Sequence, residues 1–357
     1  MEVEMSAKEF LEALDAFRER HGYSYESAFR LQRLFLEDLG TVSHTEFLRK
    51  LDQNAAWRSV YLQSIMTSPE VRSWGQEGKS LQEITEELAF PARFEDTSMW
   101  ALFNALQSGA SAFAQMELPA YQEESTLNGS LFGQLRGMSI SWARDIKPIL
   151  GGKAGSAHFS KIDLQVKKRE QATGGDTAVF IESQNDNGDL ATIPLILQAK
   201  RFAREDAKIS QRNGEIYQFH TLRDYWLPTA YIFFHNSKTR RIERPLPPLV
   251  KNVHDIAYSD TPEKTSALND SLPLANYILR LVTTAPSSHR FVSPADAVAA
   301  MAANVSPDDL TNVIVISPSS TAELRFDEAW KSHLIENGYI TEPKAEAEDD
   351  PSDDFGM

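Results

Sequence analysis

The stretch that decides the fold is residues 170–200, EQATGGDTAVFIESQNDNGDLATIPLILQAK. Two strand-like runs, TAVFIE and TIPLILQAK, flank the polar segment SQNDNGD. Such runs, bounded by Asn, Asp and Gly, predict an antiparallel hairpin. Asp176 stands at the mouth of the first strand, just after a Gly-Gly turn, and Gln198 and Lys200 lie at the far end of the second. A hairpin brings its open ends together, so Asp176 is expected near Gln198 and Lys200. Positions 198 and 200 are two apart and share a face. A carboxylate, an amide oxygen and an ammonium would then meet at one sheet edge. That set suits a hard divalent cation and the activation of water for phosphodiester cleavage.

Working outward, EESTLNGSLFGQLRGMSISWARDI predicts a helix that begins at Glu123 or Glu124. Its Gly129, Gly133 and Gly137 predict close packing or a break. In HFSKIDLQVKKRE, residues 158–170, Ile162, Leu164 and Val166 recur with period two, which predicts a half-buried strand. After the hairpin, GEIYQFHTLRDYW (214–226) carries a helical stripe of Ile216, Phe219 and Leu222 with Tyr225 or Trp226. TAYIFFHN (229–236), bounded by Pro228 and Asn236, reads as a buried strand. The order is helix, strand, strand, strand, helix, strand.

That order, with GGD opening one strand and QAK closing the next, resembles the PD-(D/E)xK nuclease superfamily. More narrowly it resembles the branch related to Mrr-type restriction endonucleases, in which Gln commonly replaces the acid of the last motif. The resemblance covers residues 121 to 236. It implies a mixed α/β fold with a restriction-endonuclease-like αβββαβ core, and a Mg²⁺-dependent endonuclease, with Mn²⁺ as a substitute. The substrate class it implies is nucleic acid, DNA before RNA, in a restriction or antiviral defence setting. By the same resemblance Asp176 binds the metal and Gln198 offers it an amide oxygen. Lys200 positions or helps deprotonate water and offsets charge on the phosphate. A glutamate from the helix before the first strand joins them, Glu124 or its neighbour Glu123, with Glu170 as another candidate. Gln218 supports the site from the following helix. Because Gln198 brings no negative charge, a second carboxylate from Glu124 or Glu170 is chemically needed to hold Mg²⁺. The competing reading is a nucleic-acid-binding or scaffold protein on the same fold with a degenerate site.

Residues 1–118 read as a helical region for recognition, regulation or oligomerisation. AKEFLEALDAFRER, ESAFRLQRLFLEDL and SMWALFNALQSGASAFAQM carry apolar residues at helical spacing. His21 and His44 each stand alone there, and Trp57, Tyr61 and Trp100 are expected in a core. Residues 119–340 form the nuclease-like domain and a C-terminal α/β extension. In the extension RPLPPLVKN is expected to be irregular, SLPLANYILRLVTT and SPADAVAAMAANV helical, and TNVIVISP (311–318) a strand of the same sheet. FDEAWKSHLIENG is expected to form a last helix, ending at Gly338. The tail, residues 341–357, holds six acidic residues between Glu346 and Asp354 and is expected to be disordered.

Composition bounds the rest. The 357 residues include no cysteine, which excludes disulfides and thiolate metal sites. No apolar run approaches the length of a membrane span, and MEVEMSAKEF lacks the basic and apolar regions of a signal peptide. A cytoplasmic protein without membrane partners is expected, free to form a homo-oligomer or to meet a protein through residues 1–118. The net charge is −15, yet residues 121–245 hold 18 Lys and Arg against 14 Asp and Glu, a net of +4 that leaves −19 elsewhere. A basic working surface on an acidic protein is compatible with a polyanionic substrate.

Overall fold

The computed structural model describes residues 97–141, 143–144, 155–162, 164, 176–184, 189–242 and 245–340. The readings made on residues 1–96 and on the tail lie outside the described residues.

The expected hairpin is present. Strand β2 (Asp176–Gln184) pairs antiparallel with β3 (Leu190–Phe202), from Thr177 opposite Leu197 to Gln184 opposite Leu190. The long β3 is buried on both faces, as a central strand must be. Pro194 is tolerated inside it for a local reason. The N–H groups of Thr192 and Ile196 leave β3 toward Phe291 and Pro228, so the one Pro194 lacks would fall in the gap between those partners.

Around the hairpin grows a nine-stranded mixed sheet. Its other strands are β1 (His158–Ile162), β4 (Asp206–Lys208), β7 (Thr229–His235), β8 (Leu249–Asn252), β9 (Lys264–Ser266), β10 (Leu272–Pro273) and β11 (Leu310–Ser317). The order is β1-β11-β2-β3-β7-β8-β10, with β4 joining β3 to β9. A separate two-stranded ribbon is made by β5 (Arg212–Asn213) and β6 (Ile216–Tyr217). The strand expected at 311–318 joins the same sheet, between β1 and β2, antiparallel to the first and parallel to the second.

Helices cover both faces. Odd-numbered residues of β3 (Ile193, Leu195, Leu197, Ala199) share a core with helices α1 (Thr97–Met116) and α2 (Glu124–Ser141). Even-numbered Ile196 and Phe202 share the opposite core with α3 (Gln218–Asp224). Helix α4 (Leu274–Thr284) lies on the first face, and α5 (Pro294–Asn304) and α6 (Ala322–Glu336) on the second. There Phe180 meets Phe326 and Trp330 at ring distances of 4.9 and 6.2 Å. Each fully buried ring of this kind contributes roughly 2–3 kcal/mol. Helix α1, from the stretch assigned to the N-terminal helical region, is thus part of the sheet's own core.

Three expectations need correction. The glycines of α2 neither break it nor pack closely, since a Cβ at 129, 133 or 137 would meet nothing within 4 Å. The close approach belongs to Gly109 of α1, where a Cβ would stand 2.7 Å from Leu135 Cδ2 and 3.0 Å from Leu135 Cα. RPLPPLVKN is not wholly irregular. Its last proline is Pro248, and β8 starts one residue later, where every residue has an N–H to give. The helix expected over 214–226 is only α3, because Asn213-Gly214, with Gly214 at φ 65°, turns the β5–β6 ribbon first.

Candidate active site

Thr177 faces Leu197 across the hairpin, so Asp176, one residue outward, stands beside Gln198 in the backbone register. Asp176 also pairs with Leu310 of β11. Here β2 starts, while β3 runs on beside β7 through Lys200 and Phe202. Gln198 and Lys200 point to the face covered by α3, and both are buried. Gln218, at the start of α3, meets both. Its Nε2 donates to Gln198 Oε1 at 2.6 Å, and its Oε1 accepts from Lys200 Nζ at 3.4 Å. Gln218 therefore touches the pair directly rather than supporting it from behind.

Lys200 Nζ also donates to Gln211 Oε1 at 2.7 Å. Gln211 and Gln218 bracket the β5–β6 ribbon, and the Gln218 N–H donates to the Gln211 carbonyl at 2.9 Å. The ribbon is thus clamped over the lysine. Two amide oxygens thus solvate the buried ammonium and fix its position at the corner.

The structure does not bring Glu124 or Glu123 to this corner. Both pair with Arg201, at 3.5 and 3.6 Å. Arg201 follows Lys200 in β3 and therefore points to the opposite face, where α2 lies. Partial burial works against its charge. Its hydrogen bond with Tyr121 and the charges of Glu124 and Glu123 outweigh that and hold the guanidinium above its usual range. The start of α2 is committed to that face because Leu127, Leu131 and Leu135 bury against it. Glu170 lies outside the described residues.

Several residues at this corner were not anticipated. Gln211 is one. Tyr231 of β7 is in register with Gln198, and Lys251 of β8 is in register with Tyr231, so one row crosses three strands. Lys251 is buried, with Nζ 3.4 Å from both Thr265 Oγ1 and the Ser266 carbonyl. Burial pushes its ammonium pKa down against the opposing pull of Asp270 and Asp255. A lysine inside an apolar strand was the available signal, and the prolines before it hid the strand.

Among the described residues, no three His, Asp or Glu side chains come together as a metal-ligand set. The described donors at the corner do not by themselves fit Mg²⁺, which prefers carboxylates with water and phosphate. No family model matches the chain, no curated protein matches its sequence, and no solved structure matches its fold. Among the described residues no helix is long and apolar enough to cross a membrane.

Proposed function

We propose that this chain is a metal-dependent endonuclease that hydrolyses phosphodiester bonds in nucleic acid, with its working centre at the β2–β3 corner. The observation that carries this reading is the buried Lys200, held by Gln211 and Gln218 within reach of Gln198 and one strand from Asp176. The order α2, β1, β2, β3, then α3 and β7 after the short strands β4, β5 and β6, supports the restriction-endonuclease-like resemblance. The place of β11 between β1 and β2 in the sheet departs from an αβββαβ core. Lys200 would attract the phosphate and offset the charge that grows on it. Gln218 would hold the Lys200 and Gln198 side chains in place. Asp176 is the residue to which a cation would answer. The carboxylate still wanting is assigned to Glu170, since Glu124 is committed to Arg201. A defence role and DNA as the substrate follow from the resemblance.

One observation favours the second reading, a nucleic-acid-binding protein with a silent site. Gln198 Oε1 already accepts from Gln218, and the helix glutamates are paired elsewhere. Asp176→Ala separates the two. Loss of Mg²⁺- or Mn²⁺-dependent cleavage, with nucleic-acid binding in EDTA unchanged, supports the hydrolytic reading. Cleavage by the variant at the wild-type rate overturns the assignment of Asp176. A wild-type protein that binds but never cleaves supports the second reading.

A further inference from the structure

The β5–β6 ribbon that clamps Lys200 also begins a chain of rings and guanidinium groups on the surface. Gln211 and Gln218 touch the lysine, and the next rung out is Arg212 opposite Tyr217. The Arg212 guanidinium lies over the Tyr217 ring at 4.1 Å and also donates to its hydroxyl. Tyr217 meets His220 edge-on at 5.7 Å. His220 lies nearly parallel to Tyr258, at 5.5 Å and 16°. Arg223 lies over Tyr258 at 5.7 Å.

These groups are held rather than loose. His220 Nε2 is 2.8 Å from the Ser259 carbonyl, and Arg223 donates to the Ile256 carbonyl at 2.9 Å. Yet Tyr258 is 63% exposed, and Arg212 is exposed. Tyr217 and His220 are half-buried behind these two. An exposed ring fixed in place and interleaved with arginines is what unpaired bases and their phosphates stack and pair on. The flanking charges favour a sparse strand over a dense one. Glu215, Asp224, Asp255 and Asp260 are exposed within three residues of members of the strip. They oppose a duplex, with one phosphate per about 1.7 Å of axis, more than a single strand.

We propose that Arg212, Tyr217, His220, Tyr258 and Arg223 form a platform for single-stranded nucleic acid, which leads the strand to the corner at Lys200. The binding half stands by itself, and the delivery half rests on the hydrolytic reading above. The test is fluorescence anisotropy of the full chain in EDTA. The probes are labelled oligo(dT) and oligo(rU) of about 12 nucleotides and a duplex of the same length. The wild-type protein should bind a single strand, of either sugar, about tenfold tighter than the duplex. Tyr258→Ala should weaken that binding about tenfold, and Tyr258→Phe should keep it, because the ring and not the hydroxyl does the stacking. Circular dichroism and the unfolding midpoint of both variants should match the wild type, since the ring is mostly exposed. Wild-type affinity in Tyr258→Ala, tighter binding of the duplex, or no binding of any probe would overturn the platform. Because no divalent ion is present, the outcomes separate. Strip-dependent binding without cleavage in Mg²⁺ sinks only the hydrolytic reading. Cleavage with no dependence on Tyr258 in binding sinks only the platform.

Discussion

Lys200 and Arg201 are adjacent and charged alike, yet they serve different faces of β3. One is clamped by amides under α3, and the other pairs with Glu124 at the start of α2 and with Glu123 just before it. Burial also decides the state of His235. It pushes the imidazole pKa down to about 4, a hydrogen bond to Ala203 opposes the shift, and the Arg240 cation adds to it. The Leu246 N–H donates to His235 Nδ1 at 3.1 Å, which requires that nitrogen unprotonated. Above pH 6.5 both folded and unfolded chains hold the neutral ring. As pH falls from 6.5 toward 4 only the unfolded chain takes the proton, so stability drops by about 2–3 kcal/mol and then levels off. Urea melts of the wild type and His235→Gln across that window should diverge by about that amount, and parallel curves would contradict it.

A second buried charge lies at the far end of β2. The Glu182 carboxylate accepts from Ser317 Oγ at 2.5 Å and Arg325 at 2.8 Å. Arg325→Ala leaves a carboxylate uncompensated and should cost about 2 kcal/mol, the guanidinium being partly exposed. Adding Glu182→Gln should restore most of the loss, because an amide needs no counter-charge. Denaturant midpoints of the single and double variants check this.

At the scale of elements, the α1–α2 contact makes opposite predictions for two glycines. Gly109→Ala drives a Cβ into Leu135, its backbone included, and should destabilise by about 1–2 kcal/mol despite the better helix propensity. Gly133→Ala meets open space on an exposed turn and should stabilise by about 0.5–1 kcal/mol. Thermal melts showing the same sign for both would refute this packing. The hairpin was legible because strand-like runs and a polar turn segment are local signals. So were α5, where Ser293 accepts from the Asp296 N–H ahead of Pro294, and β7 between Pro228 and Asn236. The insertion of β11 between β1 and β2 was not legible, because parallel pairing of Val313 with Ala178 leaves no local pattern. Nor was the face taken by Glu124, which depends on how Leu127, Leu131 and Leu135 dock the whole helix.

At the scale of the molecule, one sheet separates two chemistries. The α2 face carries Arg201 paired with two glutamates. The α3 face carries the clamped Lys200, the Gln198–Tyr231–Lys251 row and the ribbon beside it. On a chain of net charge −15, the proposed polyanionic substrate would need such local positive groups. Residue resemblance located the hairpin corner, but the amide clamp of Gln211 came only with the fold, since residues 200 and 211 carry no spacing signal. The most direct measurement is the initial rate of cleavage of circular DNA, supercoiled and single-stranded, in Mg²⁺ and Mn²⁺. It compares wild type with Lys200→Ala and with Lys200→Met, which fills the same space. The account predicts divalent-dependent cleavage by the wild type and a fall of about 100-fold or more in both variants, with their folded circular dichroism retained. Cleavage by either variant at the wild-type rate, or none by the wild type on either substrate, would contradict it.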